Sequence, residues 1–103
     1  MFNPTVAFHP GEYIEEELEA RNWTQAKFAG IIGISRPFLN DIIKGRKNIT
    51  PSLAVMIGAA LGTSPDLWIG LQNLYDVTNL QNDAETQKKV SSIKERVEEF
   101  SFA

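Results

Sequence analysis

The side chains most able to do chemistry fall into two groups of opposite charge. Residues 21–50 hold six bases (Arg21, Lys27, Arg36, Lys44, Arg46 and Lys47) against the single acid Asp41, a local charge of +5. Gln25, Ser35 and Asn40 are interleaved with them. This is a set of donors for recognition rather than of nucleophiles. The planar fork of Arg36 matches O6 and N7 of guanine, and Asn40 suits adenine or a phosphate. Lys44, Arg46 and Lys47 suit the phosphate backbone, contact with which carries no sequence information. The second group, Glu12, Glu15, Glu16, Glu17 and Glu19, lies within residues 1–20, which contain no base. A metal or acid–base site is one reading of these carboxylates. A solvated helix face is the one expected, since acids suit the positive end of a helix dipole. His9 is the only histidine. No serine, cysteine or second histidine is placed to cooperate with it, so a role at a helix start, or plain exposure, is expected rather than catalysis. There is no glycine-rich phosphate loop and no metal-ligand cluster, so no enzyme activity, metal or cofactor is expected.

The elements that must hold these donors follow from capping and periodicity. From Trp23 to Thr50 the pattern predicts a short helix, a glycine turn, a second short helix and a basic loop. Thr24 is a candidate N-cap for Gln25–Ile32, with Phe28, Ala29 and Ile32 apolar at helical spacing. Gly33 supplies the positive φ of a sharp exit, and Ile34 drops into the core. Ser35 caps the next helix, Pro37 fits its first turn, Leu39, Ile42 and Ile43 face inward, and Gly45 ends it. Such short helices cannot bury their stripes alone. They make sense as a helix-turn-helix, supported by flanking helices, with the second helix offered to a DNA groove.

Upstream, residues 1–8 read as extended or loose, with a turn at Asn3-Pro4, and Pro10 opens a helix, Gly11 to Arg21, with Ile14 and Leu18 buried. Downstream, Thr50-Pro51 starts a helix to Leu61 with Leu53, Ile57 and Leu61 on one face, ended by Gly62. Ser64-Pro65-Asp66 starts another, with Leu67, Trp68, Leu71 and Tyr75 as its stripe. Trp68 has two compatible readings, core and part of a homodimer seam that sets two recognition helices one DNA turn apart. In the tail, Asn82-Asp83-Ala84-Glu85 is similar to a capping box. Val90, Ile93, Val97 and Phe100 follow at 3, 4, 3 spacing as a narrow seam on a charged helix. An isolated helix of this length is marginal, so the seam should dock on its own domain, on a dimer mate or in a groove of another protein.

The chain has 103 residues, enough for one globular domain with a sizeable core. It has no cysteine, which excludes disulfides and thiolate chemistry and fits a reducing cytoplasm. No apolar run approaches membrane-spanning length and no signal peptide precedes the domain, so a cytoplasmic protein without membrane association is expected. The net charge of −3 and pI near 5.1 oppose DNA binding at first sight. The distribution reverses that reading, because residues 51–103 carry four bases and seven acids and the positive charge stays on the helix-turn-helix.

The runs HPGE, ISRP, GRKNITP, ALGTSPDLW and LQNLYD, spread over about residues 9–76, resemble the HigA/VapI-type antitoxins of the Xre group of helix-turn-helix proteins. The extended segment 1–8 and the additional C-terminal helix in 81–103 lie outside the shared runs and rest on the residue pattern alone. The resemblance implies an all-α fold with a five-helix, phage-repressor-like helix-turn-helix domain, taken here as 9–80. It also implies a dimer that binds a palindromic operator on double-stranded DNA, represses its own operon, and neutralises a basic HigB-type (RelE-like) endoribonuclease toxin. Carried over by residue, Gln25 grips a phosphate, while Ser35, Arg36, Pro37, Phe38, Asn40 and Asp41 occupy the start and outward positions of the recognition helix. Trp68, Leu71, Tyr75, Val90, Ile93, Val97 and Phe100 are the candidates for a dimer or partner interface.

Three residues depart from the family pattern: Phe38, Asp41 and Lys44. Phe38 either packs on a thymine methyl or belongs to the core. Asp41 either accepts from cytosine N4 or repels phosphate. A stand-alone regulator without a toxin, and an interaction module that has lost DNA binding, are the alternative readings.

Overall fold

The computed structural model describes residues 6–101. Those residues form six helices and no strand: α1 Pro10–Arg21, α2 Gln25–Ile32, α3 Arg36–Ile43, α4 Pro51–Leu61, α5 Pro65–Gln81 and α6 Ala84–Ser101. The expected turn at Asn3-Pro4 lies outside the described residues, and residues 6–8 have no regular structure.

Each of the first five helices starts on a side-chain cap. Thr24, Ser35, Thr50 and Ser64 accept the N–H of Lys27, Phe38, Leu53 and Asp66 at 3.1–3.2 Å, and His9 Nδ1 accepts that of Gly11 at 3.0 Å. Pro10, Pro37, Pro51 and Pro65 all stand in first turns, where the missing N–H costs nothing. His9 thus has the helix-start role, and its ring is buried.

Chain reversal between α2 and α3 uses Gly33 at φ 77°, where a side chain would be strained. Ile34 follows as a half-buried residue packed on the core. That core gathers Ile14 and Leu18 from α1, Phe28, Ala29 and Ile32 from α2, and Leu39, Ile42 and Ile43 from α3. Leu53, Ala54, Ile57 and Leu61 from α4 complete it with Ile49 and Trp68. Contact between α1 and α3 requires Gly11, because a Cβ there would sit 2.1 Å from the carbonyl oxygen of Ile42. Arg21 closes the back of the domain, paired with Glu17 and donating to the Leu61 carbonyl at 3.0 Å.

One expectation for α5 needs correction, and of the two readings of Trp68 the core one holds. Leu67 is not part of the inward stripe but is 47% exposed, because the stripe runs through Trp68, Gln72 and Thr78. Trp68 is core: it is 1% exposed and its indole N–H donates to Thr63 Oγ1 at 2.8 Å, leaving no ring surface for a second copy.

The tail is helical as expected, but its cap is displaced by one residue. Asp83, not Asn82, caps α6, accepting both the N–H of Thr86 at 2.9 Å and its hydroxyl at 2.8 Å. These two bonds hold the Asp83 carboxyl below its ordinary value of 3.8. No residue of α6 is buried. A radius of gyration of 18.0 Å, against about 13 Å for a compact chain of this length, reflects a helix standing away from the body. Docking of the seam on its own domain is therefore not what the chain does. Among the described residues, no helix is long and apolar enough to cross a membrane.

Candidate nucleic-acid interface

The outward face of α3 begins one residue after its cap. Ser35 is exposed but its hydroxyl is committed to the Phe38 N–H, so it shapes the helix start. Arg36 and Pro37 are exposed, and the side chain of Arg36 projects from the N-terminal end of the helix, the end that meets base edges in this motif. Asn40 is half-buried and its Oδ1 is buried without a hydrogen-bond partner. Reading adenine with both amide atoms would require another rotamer. Gln25 is half-buried as the first residue of α2.

The three departures from the family pattern have structural consequences. Phe38 is half-buried against the core, and the ammonium of Lys47 stands 5.7 Å from its ring centroid. Its ring therefore braces the basic loop from below. Asp41 Oδ1 accepts Arg46 Nε at 3.0 Å, and its carbonyl accepts the N–H groups of Arg46 and Lys47 at 2.8 and 3.2 Å. The carboxylate is thereby paired with a cation next to it, which offsets its repulsion of phosphate. The third departure, Lys44, is an exposed C-cap. Arg36, Pro37, Asn40, Asp41 and Arg46 together line a shallow depression of about 360 Å³. Lys27 reaches back to Trp23, 5.5 Å from its ring, and Arg21 lies 5.7 Å from the same ring. With Arg21 also bonded to Glu17 and Leu61, the exposed cations of α3 and its loop are Arg36, Lys44, Arg46 and Lys47.

The predicted partner residues do not form one surface. Trp68 is inside, Leu71 and Tyr75 are half-buried, and Val90, Ile93, Val97 and Phe100 are exposed on α6. Sequence reasoning missed a second apolar stripe, Leu67, Leu74 and Val77, exposed along the outer side of α5. The seven- and three-residue intervals were a readable signal, masked by the inward stripe that shares the helix. Leu80 continues it, and Val77, Leu80 and Val90 line a cleft of about 490 Å³ at the bend between α5 and α6.

The helix-turn-helix family model matches residues 14–68, more than half of the chain. The fold is similar to that of an addiction module antidote protein of a HigA family from Coxiella burnetii (27% identity, TM-score 0.77, 84% of this chain and 94% of that one). It is similar also to the Pseudomonas aeruginosa antitoxin HigA solved with the higBA promoter (28% identity, TM-score 0.73, 81% and 89%). In sequence it is 29% identical to antitoxin HigA-1 of Vibrio cholerae over 80 residues, 77% of this chain and 75% of the relative.

Proposed function

This chain belongs to the helix-turn-helix family, and from that premise we propose that it is a HigA-type antitoxin that binds operator DNA and represses its own operon. Residues 9–80 form the DNA-binding domain and residues 81–103 the extension. The observation that carries the reading is the outward face of α3 and its loop. Arg36, Lys44, Arg46 and Lys47 stand exposed on a capped helix and its loop, where the single acid Asp41 is paired with Arg46, while the other acids lie on α1, α5 and the tail. That placement suits phosphate contact by the loop and base reading by Arg36. Binding as a dimer to a palindrome fits the neutral stripe Leu67, Leu74 and Val77, which a second copy would cover. Neutralisation of a basic toxin fits the acidic face of α1, opposite in charge to the recognition helix and its loop.

The test is a titration of the DNA upstream of its own gene at two salt concentrations. Tight, salt-sensitive binding is expected. Arg36→Ala should relax the preference at one base pair and cost about 1–3 kcal/mol. An equal loss on every sequence would remove base reading from Arg36, and binding no better than to random DNA would overturn the proposal. The toxin reading adds that a small basic protein, encoded beside this gene, co-purifies with the wild type. It should dissociate when Glu12, Glu15 and Glu16 become glutamine.

A further inference from the structure

Two motifs outside the candidate DNA-contact residues both reach the basic loop: His9-Pro10-Gly11-Glu12 and Leu71-Gln72 with Tyr75-Asp76. Gln72 is buried in α5, and its Oε1 accepts the backbone N–H of Ile49 at 2.7 Å. Its Nε2 donates to Asp76 Oδ1 at 3.0 Å, which fixes the acceptor end of the amide toward the loop. The Ile49 side chain is itself in the core. At the other end of the loop Gly45 lies against the ring of His9, where an added Cβ would meet Cγ at 3.6 Å. That ring meets Tyr75 edge-on, with centroids 5.0 Å apart. Residues 45 and 49 are thus pinned, directly and through His9, to one turn of α5. Arg46 and Lys47 stand exposed between the two pins.

We propose that Gln72, oriented by Asp76, is a positioning residue for phosphate binding: by holding Ile49 it presents Arg46 and Lys47 already in place. The inference rests on the DNA-binding reading. A loop displaced from this position would carry Arg46 and Lys47 off the phosphates they neutralise, and drawing it back on binding would oppose affinity. Leaving the buried Ile49 N–H without a partner is also unfavourable, so the loop should shift when the bond is removed.

The experiment compares full-length wild type, Gln72→Met, Gln72→Glu and the double variant Gln72→Glu/Asp76→Asn on operator DNA across a salt series, with amide exchange at Ile49 measured in parallel. In Gln72→Met the Ile49 amide should exchange faster and the slope of log affinity against log salt should fall by about one to two units, one for each phosphate that is no longer neutralised. The Arg36-dependent base preference should remain. Gln72→Glu faces the Asp76 carboxylate and should behave alike. The double variant rebuilds the pair with the donor on residue 76, at unchanged net charge, and should regain the wild-type slope. A folded Gln72→Met with rapid Ile49 exchange and the wild-type slope would overturn the proposal. If Gln72→Met does not fold, a folded double variant that keeps the Ile49 bond but lacks the slope would overturn it instead. Absence of salt-sensitive binding by the wild type would overturn the DNA reading, whereas Ile49 exchange still reports the brace.

Discussion

Helices α3 and α6 both carry a narrow apolar stripe with charged or polar residues around it, and they end in opposite situations. In α3, Leu39 and Ile42 are 0% exposed; in α6, Ile93 is 52% and Phe100 81% exposed. The shorter helix is fully used and the longer one is not. The difference lies in connectivity. The three-residue turn before α3 returns it onto α2, and Gly11 lets α1 close over Ile42. By contrast, α6 departs from the far end of a 17-residue helix, past the core, where none of its residues is buried by the described part of the chain. Spacing specifies a face; the path of the chain determines what meets it.

The sharpest way to break this contrast is at Gly11. Gly11→Ala puts a methyl group against the Ile42 carbonyl and Ile43 Cα, backbone that cannot step aside. A loss of about 4 kcal/mol or more is expected, seen in denaturant melts as a collapse of the folded baseline. A near-normal midpoint would mean that α1 is free to slide on α3. Leu39→Ala should follow, at about 2–5 kcal/mol for a buried cavity. Its counterpart Ile93→Ala should change the stability of the separated chain by less than about 0.5 kcal/mol. Comparable losses at the two positions would show that the α6 seam is covered in solution. The smallest effect belongs to Asp83. Its carboxyl is held below its ordinary value in the folded chain, so its support of α6 is present above the unfolded value near 3.8 and is lost as pH falls through the lower folded value. Thr86 amide protection should fade over that acidic range, ahead of protection in α3, and should already be weak at neutral pH in Asp83→Ala. Equal fading in both helices would mean that the extension unfolds with the domain.

Much of the fold was legible because short-range chemistry marks it. The caps Thr24, Ser35, Thr50 and Ser64, the prolines in first turns and the positive φ at Gly33 depend on a few neighbouring residues. The charged face of α3 was readable for the same reason. Leu67 was misassigned because α5 carries two apolar stripes and periodicity alone does not say which one is covered. The Asp83 cap was displaced because Asn82 and Asp83 are both good N-caps, and the hydroxyl of Thr86 makes Asp83 the better placed.

By itself, the sequence determined the all-α class, the caps of α2 to α5 and the concentration of positive charge around the recognition helix, since each depends on residues close together along the chain. Only the tertiary structure decided that Asp41 holds Arg46, that Phe38 supports Lys47, that Gln72 reaches Ile49 across 23 positions, and that the seam of α6 stays open. The last two are matters of where helices distant in sequence come to lie. The packing of Gly11 on Ile42 and of Trp68 in the core fixes that placement, and no local propensity encodes it.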